Sequence, residues 1–226
     1  MTTQSSSRPC PWITIEGVDG AGKSSHVPNI IRQLEERGFK VVATREPGGT
    51  PLCERLREEI LNTPMSLETE VLLAFASRAE HLDKVIRPAL ESNTAVVCDR
   101  FTDSTYAYQG AGAGYPEEHI ARLADQVQKG MKPDLTLIFD VPPEVSRQRL
   151  SGTGKDPDKF ESQGLEYFAS VRNAYLAIAR KEPDRVRVID STRPLNEVAT
   201  QVEAVVAEFL EQWGPAPAIP ARRPHP

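Results

Sequence analysis

The chain has 226 residues, of which 39% are hydrophobic and 26% charged, and its formal net charge is −5. This length suits one α/β domain with a full core, while the acidic balance and the absence of a basic stripe argue against nucleic-acid binding. No apolar run nears transmembrane length, so no membrane partner is expected; Cys10, Cys53 and Cys98 lack metal spacing, read as free thiols, and with no signal-peptide pattern imply a reducing, cytoplasmic location.

Residues 1–11 (MTTQSSSRPCP) are polar and are expected to form a disordered lead. Residues 12–16 are a short β-branched run that predicts a buried strand, and Val27, Ile30, Ile31 and Leu34 mark a helical face beyond it. Between them lie Gly17, Val18, Asp19, Gly20, Ala21, Gly22, Lys23 and Ser24, which fit G-x-x-x-x-G-K-[ST] at every fixed position. Strand, glycine loop and helix together make this a P-loop. Its backbone N–H groups turn inward around phosphate oxygens, Lys23 reaches the β/γ-phosphates, and the Ser24 hydroxyl can ligate Mg²⁺. Pro28 falls inside the helix, ended by Gly38, so a local kink is expected.

Residues 40–44 predict a second strand, followed by the charged turn Arg45-Glu46-Pro47-Gly48-Gly49-Thr50. Such a turn after a parallel strand lies where α/β sheets place a ligand crevice. Leu52, Leu56 and Ile60 mark a helix, and residues 66–81 a longer one carrying Phe75 and Arg78 at i and i+3. Pro88 interrupts the pattern that follows. Residues 95–98 form a continuous apolar run, hence a central parallel strand, and it ends in Asp99-Arg100. An acid at that end can hold the water shell of Mg²⁺, beside the P-loop. Residues 101–109 read as a helix with Thr105 and Gln109 one turn apart, after which Gly110, Gly112 and Gly114 break the chain. A helix opened by Pro116 leads to a fourth strand over residues 135–140. A short helix then carries Arg147 and Arg149 into a Gly/Pro/charge-rich loop at 151–159, part of a mobile lid placed at about 147–160. A helix around Phe168, Val171, Tyr175 and Ile178, a strand at 186–190 and a helix after Pro194 complete the domain at 12–213. Residues 214–226 are proline-rich and are expected to be a disordered tail.

Five strands alternating with helices predict an α/β P-loop kinase fold: a parallel five-stranded sheet flanked by helices on both faces. A GTP-dependent switch would carry an Asn-Lys-x-Asp segment, and a motor ATPase a strand ending in consecutive acids; neither pattern occurs. A small-molecule kinase needs a second anionic pocket and a lid that excludes water, and the cluster Arg45, Arg78 and Arg100 with the 151–159 loop meets both needs. Arg149 at the lid's entrance and Lys155 within it are the candidate cations for the transferring phosphoryl group.

The chain resembles the bacterial thymidylate kinases over about residues 12–213. The resemblance rests on GVDGAGKS (17–24), TREPGGTPL (44–52), SRAEHL (77–82), DRFTDSTYAYQG (99–110) and PDLTLIFDV (133–141). It implies transfer of the ATP γ-phosphoryl group to thymidine 5′-monophosphate (dTMP), with Mg²⁺ as cofactor, Lys23, Asp99, Arg100, Arg149 and Lys155 as catalytic residues, and a homodimer. Ser25 and Arg193 join the P-loop in the expected ATP site. On the acceptor side, the resemblance places Asp19 near the sugar and phosphate and Arg100 on the phosphate. It puts Arg78, Thr105 and Gln109 on thymine, Tyr108 under the deoxyribose, and Glu46, Pro47 and Phe75 in the surrounding pocket. Relatives commonly carry their stacking phenylalanine four residues before the arginine, where this chain has Ala74, and their lids carry more arginines than Thr153, Lys155 and Asp158-Lys159-Phe160-Glu161 supply.

Overall fold

The alternation of β-branched runs with amphipathic stretches becomes a regular strand–helix succession in the computed structural model, which describes residues 9–151 and 158–216. In chain order the elements are β1 (Trp12–Glu16), α1 (Val27–Glu36), β2 (Lys40–Arg45), α2 (Pro51–Asn62), α3 (Leu67–His81), α4 (Arg87–Glu91), β3 (Thr94–Asp99), α5 (Thr102–Thr105), α6 (Glu117–Gln128), β4 (Leu135–Asp140), α7 (Pro143–Ser151), α8 (Leu165–Lys181), β5 (Val186–Asp190) and α9 (Leu195–Trp213). The sheet is parallel throughout, in the order β2-β3-β1-β4-β5. All five residues of β1 are buried. Side chains of a strand alternate between faces, so helices cover the sheet on both sides of its centre. The core is built on Trp12, Ile13, Ile15, Leu137 and Phe139 from the sheet with Ile30, Leu34, Tyr175 and Val202 from the helices.

Several local expectations are corrected. The segment after the P-loop is a 3₁₀ turn (Lys23–Ser25) followed by a fresh α-helix from Val27, with Pro28 in its first turn. There a proline's missing N–H goes unneeded, so no mid-helix kink arises. Pro88 likewise opens α4, immediately after a π-helical turn over Leu82–Ile86. The helix expected at 101–109 splits into α5 and a π-helical turn over Tyr106–Gly112, so Gly110 and Gly112 lie inside it and the chain turns at Gly114 (φ +80°). Cys10 and Pro11, placed in the disordered lead, are buried, and the Pro11 carbonyl accepts the Val96 N–H at 3.0 Å. Residues 1–8 of that lead, most of the lid loop (152–157, including Thr153 and Lys155) and most of the tail (217–226) lie outside the described residues.

Candidate active site

Because β1 sits between β3 and β4, the carboxyl ends of these strands bring Gly17, Asp99-Arg100 and Val141 together at the reversal of strand order, the usual crevice of an open α/β sheet. The P-loop leaves β1 through Gly17 (φ +136°), whose absent side chain would stand 2.5 Å from the Phe139 carbonyl oxygen. Gly20 (φ +76°) is equally constrained, 2.6 Å from the Ser146 carbonyl of α7. Val18 and Ala21 are buried in the core, whereas Gly22, Ser24 and Ser25 are exposed along the loop's rim. Lys23 is buried in the loop's curve, and its Nζ donates to the Gly17 and Val18 carbonyls at 3.0 and 3.2 Å. Burial and then the Arg100 charge pull its ammonium below the ordinary lysine value, against the opposing pull of Asp19, Asp99 and Glu16.

The loop is braced from two sides. Ser146 Oγ donates to the Asp19 carbonyl at 2.6 Å, and the Ser191 hydroxyl donates to the Ala21 carbonyl. Arg149 lies across this same rim, with Nη2 donating to the Ser191 carbonyl at 2.8 Å and Nη1 reaching toward Gly20 O at 3.4 Å. Arg147 points to solvent, and Arg193 is exposed in an ion pair with Asp190 at 3.1 Å.

Opposite the loop a cleft opens, lined by Asp19, Glu46, Pro47, Arg57, Ala74 and Arg78, then by Arg100, Phe101, Ser104, Thr105, Tyr108 and Gln109, with Asp158 and Phe160 at the lid's described end. Arg100 Nη2 donates to Asp19 Oδ1 at 2.6 Å, and the Tyr108 hydroxyl to Asp19 Oδ2 at 2.8 Å. Burial pushes the Asp19 carboxyl up, but the charges of Arg100 and Lys23 and these hydrogen bonds prevail and hold it down at about 2. Asp19 is therefore a fixed anion at neutral pH.

Deeper in the cleft, Arg78 is buried between the rings of Phe75 and Phe101, its guanidinium carbon 4.8 and 5.1 Å from their centroids. Its Nε donates to Glu46 at 2.8 Å and its Nη2 to Thr105 at 3.1 Å, while Nη1 is buried without a hydrogen-bond partner among the described residues. An orphan donor at the wall of a cleft is a group left over for a ligand. Gln109 donates its Nε2 to Glu70 at 2.8 Å, which leaves its carbonyl oxygen available as an acceptor. The lid meets the same corner: Lys159 pairs with Glu70 at 2.6 Å, and Phe160 stands edge-on to Tyr108.

Two expectations about this cleft are corrected. Phe75 does not line it; the ring packs with Val71, Tyr115 and Ile120 beneath Arg78, and Ala74 faces the cleft in its place. Arg45 turns away to pair with Glu54 at 2.7 Å, and the cation that enters instead is Arg57 of α2, whose Nη1 donates to the Pro47 carbonyl at 3.0 Å. Arg57 was legible as a cation between Cys53 and Ile60 on the buried stripe of α2, at i+4 and i−3. Burial, then the charges of Arg45 and Arg100, disfavour its positive charge, so this end of the cleft is an electropositive pocket that an anion would relieve.

Asp99 closes β3 beside the loop, and its Oδ1 is buried with no hydrogen-bond partner among the described residues. An unpaired carboxylate oxygen at the end of this strand, and the exposed Ser24 hydroxyl of the loop, are oxygen ligands of the kind that a hard divalent cation selects.

The comparisons with known proteins agree with this architecture. The family model described as thymidylate kinase matches residues 15–202. The chain is 52% identical to a thymidylate kinase of Methylobacillus flagellatus, covering 88% of this chain and 97% of the relative. It is 50% identical to a thymidylate kinase of Cupriavidus metallidurans, with 87% and 97% covered. Among solved structures, thymidylate kinase from Ehrlichia chaffeensis superposes with a TM-score of 0.71 at 34% identity, over 87% of this chain and 98% of that one.

Proposed function

This chain belongs to the thymidylate kinase family, and we propose that it transfers the γ-phosphoryl group of ATP to dTMP, giving the diphosphate. The observation that carries the reading is the pair of binding features facing each other across Asp19 and Arg100: a P-loop on one side and a cleft with an electropositive mouth and a patterned floor on the other. Thymine presents a carbonyl acceptor next to an N–H donor, which the Arg78 Nη1 donor and the Gln109 acceptor complement. Cytosine reverses that order and would leave both protein groups facing their own kind. Arg57 and Arg100 are read as the grip on the acceptor phosphate, and Tyr108, held by Asp19 and Arg100, as the wall against which a 2′-hydroxyl would collide.

Phosphoryl transfer is catalysed chiefly by positioning and charge stabilisation. Lys23 supplies charge at the β/γ-phosphates, and Arg149 crosses from the loop's rim to the developing charge once the lid closes. The acceptor phosphate is itself a competent nucleophile, so no protein base is assigned. Asp99 and Ser24 would hold Mg²⁺, which would supply positive charge against the negative charge of the phosphates. Glu46 and Thr105 orient Arg78, Pro47 orders Arg57, and Ser25 and Arg193 sit on the ATP side. The reading includes a homodimer, for whose interface the exposed apolar side chains Leu52 on α2 and Leu72 on α3, 40% and 48% exposed, are candidates. Cys53 and Cys98 are buried thiols outside any disulfide among the described residues, which supports a cytoplasmic location; no helix of the described residues is long and apolar enough to cross a membrane.

The test is ADP release across a panel of acceptors. Turnover of dTMP is expected to exceed that of UMP by about a hundredfold or more in kcat/KM, with CMP lower still. Comparable turnover of either ribonucleotide would overturn the assignment.

A further inference from the structure

Glu16 ends β1 and is wholly buried, yet the reading above gives it no part. Its surroundings are specific. Oε1 accepts the Phe101 backbone N–H at 2.7 Å, while Oε2 accepts the Ser104 hydroxyl at 2.6 Å and the Tyr175 hydroxyl at 2.8 Å. Those two hydroxyls are also acceptors for Nη1 of Arg100, each at 3.2 Å. A hydroxyl has one proton and two lone pairs. The two hydroxyls also lie 2.9 Å apart, and whether both protons go to the carboxylate or one passes between the hydroxyls, each oxygen keeps a lone pair for Arg100. Burial and the nearby Glu16 charge push the Tyr175 phenol well up, which keeps it protonated and donating.

The backbone carries a second constraint at the same place. Arg100 has φ +70°, a left-handed conformation that non-glycine residues adopt only when their surroundings impose it. Two hydrogen bonds flank it: Arg100 N–H to the Ile15 carbonyl at 2.9 Å, and Phe101 N–H to Glu16. One carboxylate thus holds both the turn that carries Arg100 and the hydroxyls that orient its guanidinium.

We propose that Glu16 is a positioning residue for the acceptor-phosphate contact, holding Arg100 aimed into the cleft through the Phe101 amide and the Ser104 and Tyr175 hydroxyls. This rests on the reading of Arg100 as the phosphate grip. The competing account is a buried acid that merely completes the core, which would affect both substrates alike.

Steady-state kinetics at about pH 8, varying dTMP and ATP separately, distinguish the two. Glu16→Gln is expected to raise KM for dTMP by about tenfold or more, with KM for ATP changed by less than about twofold. The double variant Ser104→Ala/Tyr175→Phe is expected to raise KM for dTMP by about fivefold. Adding Glu16→Gln to that double variant should cost less than about half, on a logarithmic scale, of its cost in the native chain, because part of its route is already gone. Parallel changes in both KM values, an unchanged KM for dTMP, or full additivity would overturn the proposal. If Glu16→Gln does not fold, the double variant decides alone, and an unchanged dTMP KM there rejects it. An Arg100→Ala variant with normal dTMP KM would instead reject the reading of Arg100, and this inference with it.

Discussion

Arg149 and Arg147 stand two residues apart on α7, yet only Arg149 reaches the P-loop, because its guanidinium finds the Ser191 carbonyl whereas Arg147 points to solvent. Arg149→Ala is expected to lower kcat by roughly a hundredfold with little change in ATP affinity, since the contact strengthens mainly in the closed transition state. Single-turnover rates check this, and a near-normal rate would place the cation elsewhere. Glu16 makes a separate claim about pH. Burial and then the Asp103 charge push its carboxyl from 4.5 up to about 7, against the pull of Arg100 and of the Ser104 and Phe101 hydrogen bonds; Tyr175 of α8 and Lys23 of the P-loop also face it. A carboxyl raised on folding binds more protons folded than unfolded between those two values. Its stabilising contribution is therefore complete below about pH 4.5 and lost as pH rises through about 7. The Tm of the native chain minus that of Glu16→Gln should accordingly fall between about pH 5 and pH 8. A difference constant over that range would show that Glu16 does not titrate there.

At the scale of elements, the P-loop is held by its neighbours as much as by its own sequence. The pattern required a glycine at 17 and at 22, but Gly20 occupies a variable position of the motif and is nonetheless constrained. Its φ is +76°, and an added Cβ would meet the backbone of α7, which cannot yield as a flexible side chain can. Gly20→Ala is expected to cost about 2 kcal/mol or more in stability and to raise KM for ATP, read by thermal unfolding and steady-state kinetics. A variant with native Tm would mean that α7 gives way easily. The π-helical turn over Tyr106–Gly112 is a similar case, since Tyr108 and Gln109 enter the cleft from a segment that residue pattern alone divides into a helix and a glycine break.

For the whole molecule, Leu52 on α2 and Leu72 on α3 are among the large apolar side chains left exposed. Large apolar side chains at 40% and 48% exposure are what an interface between copies would bury. For the proposed dimer, Leu72→Glu is expected to sediment as a monomer, while a native chain that is monomeric at micromolar concentration would reject the dimer.

Much of this protein was legible in residue order, and for a local reason. The P-loop, its flanking strand and helix, the five strands and the acid at the end of β3 are each announced by spacing or composition within about ten residues, because hydrogen bonding and burial at that range follow a period. The strand order and the membership of the cleft are not local. Arg45 and Arg57 are both cations near the same turn, and only the fold decides that one pairs with Glu54 outside while the other enters beside Arg100. Phe75 and Ala74 exchange their expected places because α3 turns the larger ring toward Val71, Tyr115 and Ile120, where it buries more apolar surface. Glu16 shows the same limit most plainly. Its sequence neighbours make it the last residue of a strand, and its partners, Phe101, Ser104 and Tyr175, are supplied from 85, 88 and 159 positions away. A buried carboxylate takes its role from the donors that surround it, and those donors meet only when the sheet and α8 have closed around it.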